Sequence, residues 1–560
     1  MTTTTIGQFL IYRLKEVGID TIFGVPGDFN LPYLDMIEDD ADLTWGNNAN
    51  ELNASYAADG YARVKGVGAV VTTFGVGELS AANGIAGSYS EMLPVIHIVG
   101  TPNTKSQAEG AILHHSLGNG NFQVFADMFA MITTASSHLN KDNAIREIDR
   151  VLEQSILRKR PGYIGIPIDL ITLQVEIPEI KPLNLSIPKN PAQTQEVALK
   201  VVLEAINKAE HPIIMVDACV QRHNLKKEAV DFVERSGFPT YVAPMGKGLV
   251  PEDLANYRGC YAGTITIEGI KKEVEKADLI IELGSIKSDF NTGGFTYKLD
   301  QGKTISLHSF GTTVFYANYD KVGMSEFLPL LTNALPKTPR TFNLGERSYP
   351  DPIESGTEIT HNYLWNKITE YIEPRSIIVS ETGTSEFAQF NLKAPKDTSY
   401  IAQVLWGSIG YSVGSAVGAA FADRSRRVWL FVGDGSFQMT AQEISVFLHQ
   451  GLTPVICLLN NDGYLIEKLI HGPHRAYNNF QMWQYSKTLD YYGVHLDRNK
   501  NDATPAKVGV EALVRTRDEF EKTMETVSKE TNKIHFLEIV MPRFDAPREL
   551  ILQVETSENR

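Results

Sequence analysis

The chain has 560 residues, of which 43% are hydrophobic and 21% charged; this ordinary globular composition excludes a disordered, collagen-like or coiled-coil protein. Its net charge of −15, from 52 basic and 67 acidic side chains, argues against nucleic acid as a partner, because such binders carry a basic face that neutralises phosphate. With only three cysteines a disulfide scaffold is excluded as well.

At roughly 100–200 residues per domain, the length suggests about three domains. Cys219, Cys260 and Cys457 lie far apart in apolar settings with no CxxC, which fits a reducing, cytoplasmic compartment. Met1 to Ile6 carries neither the charged nor the apolar part of a signal peptide. No run of about 18 apolar residues occurs, so no membrane partner through a transmembrane helix is expected.

In chain order, residues 20–25 read as a strand and 29–37 as a helix. A helix over 51–63 and a strand over 69–74 follow. The stretch 177–195, with Pro178, Pro182, Pro188 and Pro191, reads as a linker, because proline lacks a backbone donor and disfavours helix before it. Strands are predicted over 212–216 and 279–283. A second linker, 335–358, holds Pro336, Pro339, Pro350 and Pro352. Beyond it, 428–432 and 454–459 read as strands. Between them Ile444, Phe447 and Leu448 share one helical face, and Gly451 stands as the cap. A short basic run, Arg424, Arg426 and Arg427, adjoins the first of these strands. The linkers leave segments 1–180, 195–335 and 358–560. Alternating strands and helices predict an α/β fold of three consecutive domains, each with a central parallel sheet flanked by helices.

The most informative stretch starts at Gly433-Asp434-Gly435-Ser436, where a buried strand ends and a helix begins just after. It continues to Asn460-Asn461-Asp462-Gly463-Tyr464, at the end of the next strand. In a parallel sheet both strand ends lie on the carboxyl edge, where α/β proteins bind ligands. The glycines allow close backbone approach, and a helix start offers free N–H groups to phosphate. Asp434 and Asn461, 27 positions apart, then face one divalent ion. Magnesium favours octahedral oxygen ligands and bridges protein to phosphate. Its expected protein ligands are the Asp434 carboxylate, the Asn461 amide oxygen and the Gly463 carbonyl. The arrangement resembles the thiamine diphosphate fingerprint. Neither a Walker A sequence nor GxGxxG occurs, which leaves nucleotide binding with little support.

That cofactor also needs an acidic group on its aminopyrimidine, so that the thiazolium C2 proton is removed. Glu51, which follows a predicted strand and opens an alanine-rich helix, is the candidate. Taken alone, it reads as a glutamate placed in a first turn to favour the helix dipole. Its surroundings add more. Asn50-Glu51-Leu52-Asn53-Ala54 through Ala57-Ala58-Asp59-Gly60-Tyr61-Ala62-Arg63 looks like the pyrimidine-domain signature of the thiamine diphosphate-dependent 2-oxo acid decarboxylases. So do Phe23-Gly24-Val25-Pro26-Gly27-Asp28 and Thr72-Thr73-Phe74-Gly75-Val76-Gly77-Glu78. Further on, Glu381-Thr382-Gly383-Thr384-Ser385, Leu405-Trp406-Gly407-Ser408-Ile409-Gly410 and Ile466-Glu467-Lys468-Leu469 match as well. The resemblance covers nearly the whole chain and is nearest to the fungal pyruvate-type branch.

The resemblance implies three domains, pyrimidine-binding, middle and diphosphate-binding. It implies thiamine diphosphate and Mg2+ as cofactors and non-oxidative decarboxylation of a 2-oxo acid, pyruvate first, through a ylid and an enamine. Glu51 activates the cofactor. Gly407 offers its carbonyl to the 4′-amino group, and Ile409 is the stiff wedge between the rings. Thr384, Ser408, Gly435, Ser436, Tyr464 and Ile466 complete the cofactor's surroundings. Asp28, His114, His115 and Glu467 are the acid–base groups, histidine being suited to proton transfer near neutral pH. Phe290 and Thr382 border the substrate, and bulk there favours small acids. A homodimer is the minimum unit, each site drawing Glu51 and Asp434 from different chains, and a homotetramer is common.

Two departures matter. Leu465 stands where yeast enzymes carry threonine, which leaves phenylpyruvate, indolepyruvate and branched-chain acids as alternative substrates. An acetolactate synthase-type carboligase is the other alternative. Cys219 aligns with the yeast trigger cysteine, but Met92 replaces a histidine relay and Ile156 a tyrosine of a regulatory site. Weak or absent sigmoidicity is therefore expected.

Overall fold

The computed structural model describes residues 2–177, 179–348, 352–393, 395–495 and 506–558. Pro178 and Pro350, assigned above to linkers, lie outside them. Runs of β-branched and aromatic residues form three large sheets. The N-terminal sheet has the order Thr44–Trp45, Thr21–Gly24, Gly68–Thr73, Val95–Thr101, Gly162–Pro167, Ala135–His138, all pairs parallel. The C-terminal sheet runs Ser399–Ile401, Ile377–Ser380, Val428–Gly433, Val455–Asn460, Ile534–Val540, Val508–Val514, also all parallel. Strands such as Gly68–Thr73 and Val428–Gly433 are buried along their whole length. Helices cover both faces, so these strands read as unbroken apolar runs rather than alternating ones.

The middle sheet has five parallel strands, Tyr257–Cys260, Thr240–Val242, Pro212–Val216, Leu279–Leu283 and Thr304–Leu307. It then departs from the expected parallel pattern by adding Gly311–Val314 and Ala317–Asp320 antiparallel. Three residues, His308 to Phe310, and then two, Phe315 and Tyr316, join these strands. A parallel crossover needs a dozen or more residues, so the chain must turn back on itself.

The N- and C-terminal domains meet through two helices rich in small residues, Glu51–Lys65, buried from Asn53 to Arg63, and Tyr411–Ala422, buried through its length. A Cβ added to Gly418 would lie 1.8 Å from the Ala57 carbonyl oxygen, and one on Gly60 would lie 2.1 Å from that of Ser415. Backbone thus touches backbone. The Tyr411 hydroxyl donates to Asp59 Oδ1 at 2.5 Å, and Arg63 Nε donates to the same oxygen at 2.8 Å. Gly418→Ala is therefore expected to destabilise the fold by about 1–3 kcal/mol through overpacking. A urea titration checks this, and an unchanged midpoint would show that the helices part at no cost. No helix of the described residues is long and apolar enough to cross a membrane.

Candidate active site

The predicted metal motif forms where two neighbouring strands end together. Gly433 pairs with Leu459 in parallel register, so Asp434 and Asn461 emerge side by side at the carboxyl edge. The motif helix starts at Asp434 itself rather than after Ser436, with Gly433 extended as its N-cap. An acidic first residue suits the helix dipole. Asp434 is buried; its Oδ1 accepts from Gly435 N at 2.8 Å and its Oδ2 from Gly463 N at 3.1 Å. Burial pushes its carboxyl up to about 6. The Asn461 amide turns its oxygen to the Gly463 carbonyl oxygen at 2.8 Å and to Asp434 Oδ1 at 3.2 Å. Exchanging the amide atoms would make these two hydrogen bonds, and the orientation of an amide is an assignment. The oxygen-inward arrangement is the one a cation would select. Adjacent oxygens around octahedral Mg2+ lie about 3 Å apart.

Tyr464 lays its ring against Gly435, where an added Cβ would come within 2.6 Å of it. Ser436 reaches the loop that carries Ile409: Gly410 N donates to Ser436 Oγ at 3.1 Å, and Thr440 Oγ1 donates to the Gly410 carbonyl at 2.7 Å. Gly407 and Gly410 hold φ of +64 and +92, left-handed positions that favour glycine. The Ser408 hydroxyl faces the N-terminal domain, 2.6 Å from the Tyr56 hydroxyl, and accepts from Asn83 Nδ2 at 2.9 Å. Ile409 is left 39% exposed. Thr384 is buried at the start of the helix Thr384–Gln389.

Glu51 is the first residue of its helix, capped by the Asn50 side chain, which accepts from Asn53 N. Its carboxyl makes no hydrogen bond or ion pair among the described residues. Gly77 presses against it, since a Cβ there would lie 2.9 Å from Glu51 Oε1. The acid–base residues of the N-terminal domain are assembled from two distant loops. His114 Nε2 lies 2.5 Å from Asp28 Oδ2, within hydrogen-bond distance. His115 Nε2 lies 3.8 Å from the other oxygen. Phe29 stacks on His114 at 5.1 Å and meets His115 edge-on. His115 itself has φ +63.

The remaining predicted residues are spread around the C-terminal and middle domains. Glu467 stands exposed on the helix Leu465–Ile470. Ile466 and Phe290 pack into the middle domain's core, and the Phe290 ring meets Phe387 edge-on at 5.5 Å. Thr382 is buried, its hydroxyl donating to the Gln403 carbonyl at 3.2 Å. Leu465 is buried as well. Among the described residues no hydrogen bond or ion pair joins Asp28, Glu51, His114 or His115 to Asp434, Asn461, Gly463 or Glu467.

Three buried carboxylates that organise these loops have no assigned part in the sequence reading. Glu381 Oε2 accepts from Gly433 N at 2.6 Å, and burial pushes its carboxyl up to about 7. Glu443 accepts from Asn48 Nδ2 at 2.6 Å and Ala49 N at 3.1 Å, just ahead of Glu51, and is likewise pushed up to about 7 by burial. Glu91 Oε1 accepts from Leu405 N and Trp406 N, ahead of Gly407. Only for Glu381 was a signal present: it directly follows a β-branched run, as Asp434 does.

Family models described as the thiamine pyrophosphate enzyme N-terminal TPP binding, central and C-terminal TPP binding domains match residues 4–126, 199–323 and 381–539. The chain is 42% identical over 569 residues to pyruvate decarboxylase isozyme 3 of Saccharomyces cerevisiae, covering 99% of this chain and 98% of the relative. It is 44% identical over 571 residues to the pyruvate decarboxylase of Aspergillus terreus, covering 99% and 97%. The thiamine diphosphate-dependent 4-hydroxybenzoylformate decarboxylase of Rhodococcus jostii shares the fold, with a TM-score of 0.76, 18% identity, and coverage of 96% and 99%.

Proposed function

The chain belongs to the thiamine diphosphate-dependent decarboxylases, and on that premise we propose that it converts pyruvate non-oxidatively to acetaldehyde and carbon dioxide. When bound, thiamine diphosphate supplies a carbon nucleophile and an electron sink. The protein's part is to hold, orient and move protons. Asp434, Asn461 and Gly463 would hold Mg2+, offering it a carboxylate, an amide and a backbone carbonyl oxygen at one strand edge. A buried carboxylate raised toward neutrality gains most from such a cation, which restores its charge. Thr384, Gly435, Ser436, Tyr464 and Ile466 surround the cofactor. The loop of Gly407, Ser408 and Ile409 faces its rings, and Glu51 holds its aminopyrimidine. Phe290 and Thr382 narrow the space left for substrate.

The observation that carries this reading is the Asp28–His114–His115 cluster. A carboxylate hydrogen-bonded to one imidazole, beside a second, is suited to deliver a proton to the reacting carbon and assist release of a neutral aldehyde. A carboligase needs that protonation suppressed. Glu467 adds a further carboxyl to the same task. Purified protein given Mg2+, thiamine diphosphate and pyruvate is expected to release acetaldehyde, followed with a coupled alcohol dehydrogenase. Acetolactate, or a faster reaction with phenylpyruvate, would refute the assignment.

The minimum unit is a homodimer, and two such dimers form a tetramer. Support comes from the unjoined residue sets and from exposed apolar side chains near them: Val76 is 52% exposed, Met439 49% and Ile409 39%. A second copy covers these. A sedimentation series in which activity persists in pure monomer would contradict it. A cytoplasmic location agrees with three free, buried cysteines.

Saturation by pyruvate is expected to be hyperbolic. Cys219 is buried, donates to Met92 Sδ at 3.5 Å, and has its thiol pushed up to about 11 by burial. A thioether neither accepts nor relays a proton as imidazole does. A sigmoidal curve that Cys219→Ser makes hyperbolic would overturn this expectation.

A further inference from the structure

We propose that the amino edge of the C-terminal sheet holds a second anion site, one that binds a phosphate group. A cavity of about 320 Å³ opens there between the turns that lead into three strands, Ile377–Ser380, Val428–Gly433 and Val455–Asn460. That volume suits a small metabolite. Four arginines line it, Arg375, Arg424, Arg426 and Arg427, against the single carboxylate of Glu373. So dense a positive cluster is unusual on a chain of net charge −15.

The hydrogen bonds divide these arginines into two kinds. Arg427 Nη1 donates to Glu373 Oε1 at 2.5 Å, and Trp429 Nε1 donates to Glu373 Oε2 at 3.1 Å, so the carboxylate is already occupied. Arg426 is also committed, donating to the carbonyls of Arg375, Ser376 and Asp397 and to Ser399 Oγ. Arg375 is not. The Arg375 guanidinium makes no hydrogen bond or ion pair among the described residues. Arg424 is committed only in part: it makes one hydrogen bond, from Nη1 to the Gln450 carbonyl at 3.2 Å, and its guanidinium lies 5.0 Å over the Phe421 ring. The hydroxyls of Thr453 and Thr531 line the same cavity and are likewise without hydrogen bonds among the described residues. Arg375 also holds a left-handed backbone, φ +66, its N–H donating to the Lys396 carbonyl at 2.8 Å.

The free guanidinium of Arg375, the remaining N–H donors of Arg424 and two hydroxyls form a donor set for a tetrahedral oxyanion. A planar carboxylate would use only one guanidinium well. The strands between this cavity and Asp434 are six residues long, about 20 Å at ~3.3 Å per residue. The cavity is therefore separate from the cofactor edge, and the proposal stands or falls independently of the decarboxylase reading.

The test is calorimetric titration of the holoenzyme, with thiamine diphosphate and Mg2+ saturating so that the cofactor edge is filled. The probes are inorganic phosphate and phenyl phosphate at constant ionic strength. One saturable site per chain is expected. Arg375→Ser with Arg424→Ser is expected to raise Kd at least tenfold while kcat for pyruvate stays within twofold. Arg375→Glu, at an exposed and unbonded side chain, serves as the second variant and is expected to do the same. Equal affinity for the two probes assigns the site to free phosphate; tighter binding of the monoester assigns it to a phosphorylated metabolite. Absence of saturable binding by both probes, or a Kd unmoved by either variant, overturns the proposal.

Discussion

Glu51→Gln is expected to lower kcat by about 10²–10⁴-fold, the range typical of losing a positioned acid–base group, while the protein still folds and still takes up thiamine diphosphate. The amide keeps the size and most of the polarity of the acid, so packing against Gly77 is preserved. What it loses is the proton. The carboxyl is well placed for this part because nothing in the chain uses it: it lies in the first turn of its helix with no hydrogen bond of its own among the described residues. Stopped-flow turnover together with cofactor titration separates chemistry from binding. A variant turning over within tenfold of the parent would remove Glu51 from its assigned role, and with it the activation scheme.

Asp434→Asn is expected to release the cofactor rather than slow the chemistry. The substitution removes the one full negative charge from an oxygen set otherwise made of an amide and a carbonyl. Retention of thiamine diphosphate through gel filtration in Mg2+ is expected to fall at least 100-fold in affinity, about 2.7 kcal/mol. In the parent protein a chelator is expected to reproduce the loss and added Mg2+ to reverse it, because metal affinity and cofactor affinity are linked through the same ligands. A neighbouring control is available in Glu381, which accepts from Gly433 N and is not among the proposed ligands of the ion. Glu381→Gln keeps the acceptor oxygen and is expected to weaken retention far less than Asp434→Asn. Equal losses from the two variants would mean that loop geometry, and not ligand charge, governs binding.

The α/β architecture was legible because its signal is local. The runs at Pro212–Val216 and Leu279–Leu283 appear as strands with the bounds expected, and Val428–Gly433 and Val455–Asn460 shift by no more than a residue at either end. Apolar runs of this length, broken by amphipathic helices, allow little else. The Gly433-Asp434 and Asn460-Asn461 pair was legible for a related reason. Each follows a strand directly, and parallel neighbours end on one edge, so linear spacing becomes spatial proximity. The antiparallel close of the middle sheet was not anticipated, although the shortness of its two connections already required it. The roles of Glu91 and Glu443 were not legible either. A buried carboxylate that orients a loop looks in one dimension like any surface acid.

Residue chemistry and its periodicity along the chain therefore determined the class of fold and the carboxyl-edge location of the Gly433-Asp434 and Asn460-Asn461 segments, whereas the candidate acid at position 51 came from the family resemblance. Such information lies in neighbours a few positions apart, where strand and helix repeats operate. Three-dimensional packing alone brought Asp28 to His114 across 86 positions, set Met92 against Cys219, seated Glu443 beside the loop that precedes Glu51, and brought Arg375 to the run of Arg424, Arg426 and Arg427 at the amino edge of the C-terminal sheet. Those meetings depend on strand order and on the direction each turn takes. They arise when whole sheets and helices dock, because contact between distant segments is a property of the assembled layers rather than of either segment.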